Sequence, residues 1–197
     1  MIYHGDDMAL IILDRQHLGK PGRWNDAGAQ NDFVVEAYLT SQYIFWAEWA
    51  LRDMGFDVVV LSDGTYTERH TRVNQYVQNV GQSVYVACHI NAGAGGGDYC
   101  STFYDHRSAA GKHLADQING QLLIDVPEIE DVKSIAASPN DWTKNAYYTI
   151  KGVGKPVAVC FEPFFIDNDE HKILCQPDNL RLIGECLAEG IKQYFGG

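Results

Sequence analysis

Met8–Asp14 reads MALIILD, an apolar run that is continuous rather than alternating. A strand with one wet face alternates apolar and polar residues, whereas a strand covered on both faces does not. The segment therefore predicts a short strand buried on both sides, beginning near Met8, with residues 1–7 as a lead-in. Further strands are read in DVVVL (Asp57–Leu61), SVYVACH (Ser83–His89), YCSTFYDH (Tyr99–His106) and PVAVCFE (Pro156–Glu162). Helical stretches separate them. The first is predicted from Asn31 or Asp32, both good N-caps, with Val35, Leu39, Phe45, Trp46 and Trp49 on its inner face and Gly55 as terminator. Others are read over Thr67–Gly81, Ser108–Leu123 and Asn179–Phe195. Asp125–Gly154 is polar, carries Pro127 and Pro139, and is read as loops and short pieces. Strands alternating with helices predict an α/β three-layer sandwich around a mostly parallel sheet.

The chain has 197 residues, which suits one domain with a substantial core. Residues 1–197 are read as that single domain, with no internal repeat, low-complexity tract or separate binding module. The net charge of −11 argues against binding nucleic acid or anionic membranes, where basic patches supply the affinity. Apolar runs fall far short of the roughly 20 residues a membrane span needs. The five cysteines are odd in number and contain no CxxC, so reduced thiols are expected, with Cys88 and Cys160 as small core residues. MIYHGDDMALIIL lacks the basic region and long apolar core of a secretory signal. Synthesis in the cytoplasm is the expectation.

In open α/β sheets, functional groups gather beyond the carboxyl ends of the strands. Here the first strand leads to His17, the third ends in His89 and the last ends in Glu162, while Glu36 stands early on the first helix. Two imidazoles and a carboxylate are a known catalytic zinc set, with water as fourth ligand. His17, Glu36 and His89 would supply it from three elements, leaving Glu162 to carry a proton. No HExxH compresses the set into one local motif. Strand-end histidines also serve as hydrogen-bonded structural residues, and a lone helix acid is commonly solvated. Glu162 is less easily dismissed: it sits between VAVCF and PFF, where a carboxylate needs a partner, a metal or a route to water.

At these residues the sequence resembles the zinc-dependent N-acetylmuramoyl-L-alanine amidases of the Amidase_3 type, possible catalytic domains of phage endolysins among them. DRQHLG matches the family's opening D-x-G-H-G-G loop at Asp14, His17 and Gly19, and a DAGA element follows at Asp26–Ala29. Glu36 in VVEAYLT matches the glutamate that opens the first long helix. ACHINA matches S-x-H-x-N-A, with His89 and Asn91. FEPFFIDN matches E-x-x-F-x-x-N, with Glu162, Phe165 and Asn168. The resemblance spans roughly residues 9 to 195. It implies one α/β domain with a mixed sheet of about six strands. It implies one zinc ion on His17, Glu36 and His89, Glu162 as catalytic acid/base, and Asn91 at the substrate. The implied reaction is hydrolysis of the amide between N-acetylmuramic acid and L-alanine in peptidoglycan. Gln16 and Leu18 replace glycines beside the first histidine, and Cys88 and Ile90 flank the second in unfamiliar ways.

Other readings stand beside this one. A zinc peptidase could cut another bond of the stem peptide, and a noncatalytic wall-binding module could keep the fold. The expected setting is a lysin released onto the cell wall through a membrane lesion, as in a phage, or an autolysin exported by another route. An acidic chain on an anionic wall points to a separate wall-binding subunit or a local basic face; the oligomeric state is left open. His4, His70, His106, His113 and His171 are read as surface or structural, and Arg72 as paired with a nearby acid. Trp24 and Trp142 lie in loops, where they could stack on sugars. GAGGGD (Gly93–Asp98) lacks the Lys-Ser/Thr of a P-loop and is read as a flexible loop beside the site.

Overall fold

A computed structural model describes residues 9–17, 26–93 and 97–196. Six strands form one sheet: β1 (Leu10–Arg15), β2 (Asp57–Leu61), β3 (Ser83–Cys88), β4 (Cys100–Asp105), β5 (Val132–Ala137) and β6 (Val157–Glu162). Their spatial order is β2-β1-β3-β6-β4-β5. All neighbours run parallel except β4 and β6, which are antiparallel. The helices are α1 (Glu36–Asp53), α2 (Tyr66–Tyr76), α3 (Ala109–Asp125), α4 (Lys144–Ile150) and α5 (Pro177–Tyr194). None among the described residues is long and apolar enough to cross a membrane.

The continuous apolar run of β1 is explained by where its alternate residues go. Ile11 and Leu13 join Val84, Val86, Val159 and Phe161 in a core against α1, α3 and α5. Leu10 and Ile12 turn the other way, joining Tyr85, Ala87, Cys160 and residues of α2 and α4. Each fully buried aliphatic side chain contributes about 1.5–3 kcal/mol. The three layers of the sandwich follow from these two cores, and the sheet is mixed and mostly parallel, as read. All five cysteines are free, and Cys88 and Cys160 are fully buried.

Helix α1 begins later than its cap residues suggest. Asn31 does cap, but it caps a turn, its Oδ1 accepting from the Phe33 and Val34 amides at 2.9 Å each. The helix proper opens at Glu36 without a side-chain cap; the Glu36 and Ala37 amides donate instead to the Ala29 and Ala27 carbonyls. Its inner face is also different. Leu39, Tyr43, Ala47 and Ala50 are buried, whereas Phe45 and Trp49 are more than half exposed. The reason lies in α5: a Cβ on Gly184 would fall 2.3 Å from the Tyr43 carbonyl oxygen. Backbones that close need small residues at the seam, so the bulky aromatics are displaced outward.

Helix α2 stops at Tyr76, before Gly81, and opens on a capping box between Thr65 and Glu68. The stretch expected to be loops holds two regular elements, β5 and α4. β5 is an edge strand whose residues, VKSIAA, mix polar with apolar, so no continuous run marks it. An exposed Lys133 on such an edge discourages pairing with another chain.

A buried ion pair lies beneath the first strand's exit. Asp14 and Arg69 are fully buried with Nη1 to Oδ1 at 2.7 Å, and the Tyr85 hydroxyl donates to Asp14 Oδ2 at 2.6 Å. Gln16, which stands where the family has glycine, donates to Tyr85 at 3.2 Å. The pair thus ties α2 to both β1 and β3, the strands that carry the two site histidines.

Candidate active site

Strand register brings the candidate residues to one edge. Arg15 on β1 lies opposite Cys88 on β3, and Cys88 lies opposite Phe161 on β6. His17, His89 and Glu162 each follow one or two residues later, so all three emerge from the carboxyl ends of adjacent parallel strands.

Glu36 reaches this edge from the first position of α1. Its Oε1 stands 3.1 Å from His17 Nε2 and 2.8 Å from His89 Nδ1. The Ile90 amide donates to the same oxygen at 3.0 Å, and the Ala29 amide donates to Oε2 at 2.8 Å. Burial alone would raise the Glu36 pKa, but the hydrogen bonds and charges of His17 and His89 outweigh it and hold the carboxyl far below its usual range. For His89, burial favours the neutral ring, and Glu36 together with the charges of Glu162 and Asp14 reverses this, raising the pKa.

The DAGA element closes the site from the other side. Gly28 has φ +76°, and a Cβ there would fall 2.4 Å from Glu36 Oε2 and 2.8 Å from His17 Cδ2. Only glycine combines that backbone with that clearance. Asp26 Oδ1 lies 3.5 Å from His17 Nδ1, as a carboxylate that orients a ligating imidazole would. The Tyr43 hydroxyl donates to the His89 carbonyl at 3.0 Å and fixes the end of β3.

One donor atom each from His17, Glu36 and His89 lies within 4.8 Å of the others. Among the described residues neither His17 Nδ1 nor His89 Nε2 makes a hydrogen bond, although both are buried. Tetrahedral zinc with bonds of about 2.0–2.1 Å holds its donors roughly 3.3 Å apart. The separations of 2.8 and 3.1 Å here are close to that, and the donor types match, so the residues fit zinc.

Glu162 stands at the end of β6, opposite Ser101 of β4. It lines a cavity of about 440 Å³ together with Glu36, His89 and Asn91. Burial is the main cause that pushes its pKa up to about 7; the Glu36 charge adds to this, while His89 and a contact from Cys160 Sγ at 3.6 Å oppose it. A carboxyl poised there can both take and return a proton near neutral pH.

Residues 11–193 match the family described as N-acetylmuramoyl-L-alanine amidase, Amidase_3. The chain belongs to that family. Solved structures show the same fold for this amidase. AmiC2 of Nostoc punctiforme, itself an N-acetylmuramoyl-L-alanine amidase, superposes with a TM-score of 0.78 at 16% identity, over 98% of this chain and 100% of that one. Cwp6 from Clostridium difficile gives 0.76 at 21% identity, over 94% of this chain but 29% of its own length. The catalytic domain of the CD27L endolysin, which targets Clostridia difficile, gives 0.64 at 21%, over 94% and 97%. No curated protein matches the chain.

The remaining motif residues of the amidase have structural partners. Asn91 Nδ2 donates to Ser101 Oγ at 3.2 Å, and its backbone pairs with Phe164 and Ile166. Asn168 Nδ2 donates to the Gly97 carbonyl at 2.9 Å. His171 accepts from the Phe165 amide and His70 is bonded to the Thr149 carbonyl, so both are structural; Arg72 pairs with Asp63 at 2.9 Å, as expected. His4, Leu18, Gly19, Trp24 and the centre of GAGGGD lie outside the described residues. The roles of Gly28, Tyr43 and Arg69 escaped the sequence reading. Only DAGA, a run of small residues ahead of a glutamate, signalled the first of them.

Proposed function

We propose that this amidase is zinc-dependent and cuts the bond between the lactyl group of N-acetylmuramic acid and L-alanine. His17, Glu36 and His89 hold one zinc ion, Glu162 is the acid/base, and Asn91 lies at the substrate. The observation that carries the reading is the convergence of three ligand atoms beside a cavity that also holds a carboxyl with a pKa of about 7.

Zinc on two imidazoles and a carboxylate polarises a carbonyl and lowers the pKa of water to about 7. The chain's own residues do the rest. Glu162, as carboxylate, accepts the proton of the attacking water. A C–O bond forms at the lactyl carbonyl, and the C–N bond breaks. Glu162 then returns its proton to the departing alanine nitrogen, leaving a free lactyl acid and a free amine. Asp26 places a negative charge beside the His17 ring, and Gly28 leaves room for Glu36. Asn91 Oδ1 accepts no hydrogen bond from a described side chain, so it is available to a substrate N–H.

The proposed place of action is the cell wall, where this bond occurs. The CwlD amidase from Clostridioides difficile, with a TM-score of 0.72 and 20% identity, is solved in complex with the GerS lipoprotein. With a net charge of −11, a separate wall-binding subunit for the present chain belongs to the same proposal. The ligand set is tested by elemental analysis after zinc loading. The parent chain should carry one zinc, and His17→Ala and His89→Ala should lose it while staying folded by circular dichroism. Unchanged zinc in either variant would refute the set.

A further inference from the structure

We propose that Trp142 and Asn145 form a sugar subsite, seating the muramic acid ring beside the scissile bond; the inference rests on the amidase reading. Both residues line the catalytic cavity, together with Glu36, His89 and Glu162. Trp142 is 69% exposed. Its ring stands at 75° to Phe103 with centroids 6.0 Å apart, so one edge contact braces it and most of its surface is open.

The segment that presents the indole is held in place. The Ser138 amide donates to Thr143 Oγ1 at 2.8 Å, the Thr143 amide to Asp141 Oδ1 at 2.8 Å, and the Lys144 amide to the Asp141 carbonyl at 3.2 Å. Thr143 itself is buried. An aromatic platform fixed in advance loses little freedom on binding. Asn145, three residues on, is exposed, and its side chain makes no hydrogen bond to a described residue.

Charge decides what the platform takes. Among the described residues lining the cavity there is no lysine or arginine, and Glu36 and Glu162 are both there. Lys133, over the lining residue Tyr99 at 3.6 Å, pairs with Asp131 at 3.1 Å, and Lys144, between Thr143 and Asn145, is exposed and does not line the cavity. A stem peptide brings carboxylates, for which the described lining residues offer no cationic side chain. A sugar ring brings an apolar C–H face for an indole and neutral acetamido and hydroxyl groups for an amide. Its lactyl arm carries the carbonyl under attack, so the ring must lie close to the reacting atoms.

The test compares the full chain with Trp142→Ala, Trp142→Phe and Asn145→Ala on two substrates. One is a disaccharide–pentapeptide; the other is the same peptide acylated by lactate, without sugar. Trp142→Ala should lose about tenfold in kcat/KM on the first, carried by KM, and less than about twofold on the second. Trp142→Phe should recover most of the loss, and Asn145→Ala should share its direction. In parallel, GlcNAc–MurNAc disaccharide is titrated into zinc-free protein. It should change the tryptophan fluorescence of the parent chain and not that of Trp142→Ala. Equal losses on both substrates would move the indole to the peptide, and no loss on either would leave it a surface residue; each overturns the proposal. If the parent chain releases no L-alanine terminus from either substrate, the amidase reading fails instead, and the disaccharide titration still judges the subsite.

Discussion

Replacing Glu162 by glutamine should stabilise the protein while disabling it, and the stabilisation should depend on pH. In the folded, metal-free chain the carboxyl titrates at about 7, against an ordinary value of 4.5, chiefly because it is buried. Below pH 4.5 it is protonated in both the folded and unfolded states, and burial carries no ionic penalty. Between 4.5 and 7 the unfolded chain releases the proton while the folded chain retains it, so stability falls as pH rises. Above 7 the penalty is constant. At about 1.4 kcal/mol per pH unit, it reaches about 1 kcal/mol at pH 5.5 and about 3 kcal/mol at pH 8.5. Glutamine has nearly the same shape and never ionises. Urea unfolding with chelator present, at both pH values, should show Glu162→Gln more stable than the parent by a margin that widens by about 2 kcal/mol at the higher pH, with m unchanged. Titrating groups that do not feel Glu162 are common to both proteins and cancel in the difference; His89, whose pKa the Glu162 charge helps raise, adds a smaller change of its own. A margin that is the same at pH 5.5 and 8.5, or one that shrinks, would refute a buried carboxyl with a raised pKa.

Five further substitutions probe the frame. Gly28→Ala, which forces a left-handed alanine into contact with Glu36, should cost about 1–2 kcal/mol from the backbone alone and weaken zinc binding; competition with a chromogenic chelator reads the latter. Arg69→Met leaves Asp14 buried without its cation and should cost about 3–5 kcal/mol in urea unfolding, with Asp14→Asn recovering part of it in the double variant. Trp49→Ser, on the exposed side of α1, should change stability by less than about 0.5 kcal/mol, whereas Leu39→Ala on the buried side should cost about 2–5 kcal/mol.

What could be read in the sequence follows from burial. β1, β3 and β6 are covered on both faces, so their apolar runs are continuous and visible, and the polar residues that end them stand out as site candidates. Glu36 was visible for a different reason, as an acid at the opening of a long helix. β5 was not, because an edge strand carries polar residues along its length and resembles a loop. The start of α1 was hidden because backbone carbonyls of Ala27 and Ala29 do the capping, and carbonyls have no sequence signature. Its inner face was misjudged by size: Phe45 and Trp49 are large and exposed, while Ala47 packs where Gly184 lets two helices meet. Asp14 was placed by motif, yet the reason a carboxylate survives there is Arg69, 55 residues away, which no local pattern connects to it.

The central claim is that a zinc site on His17, Glu36 and His89 serves an amidase. The most direct measurement is digestion of purified peptidoglycan by the zinc-loaded chain, with and without chelator, with new termini identified by mass spectrometry. The account predicts free L-alanine amino termini that disappear when the metal is removed. Cleavage that persists in chelator, or new termini at another bond of the stem peptide, would contradict it.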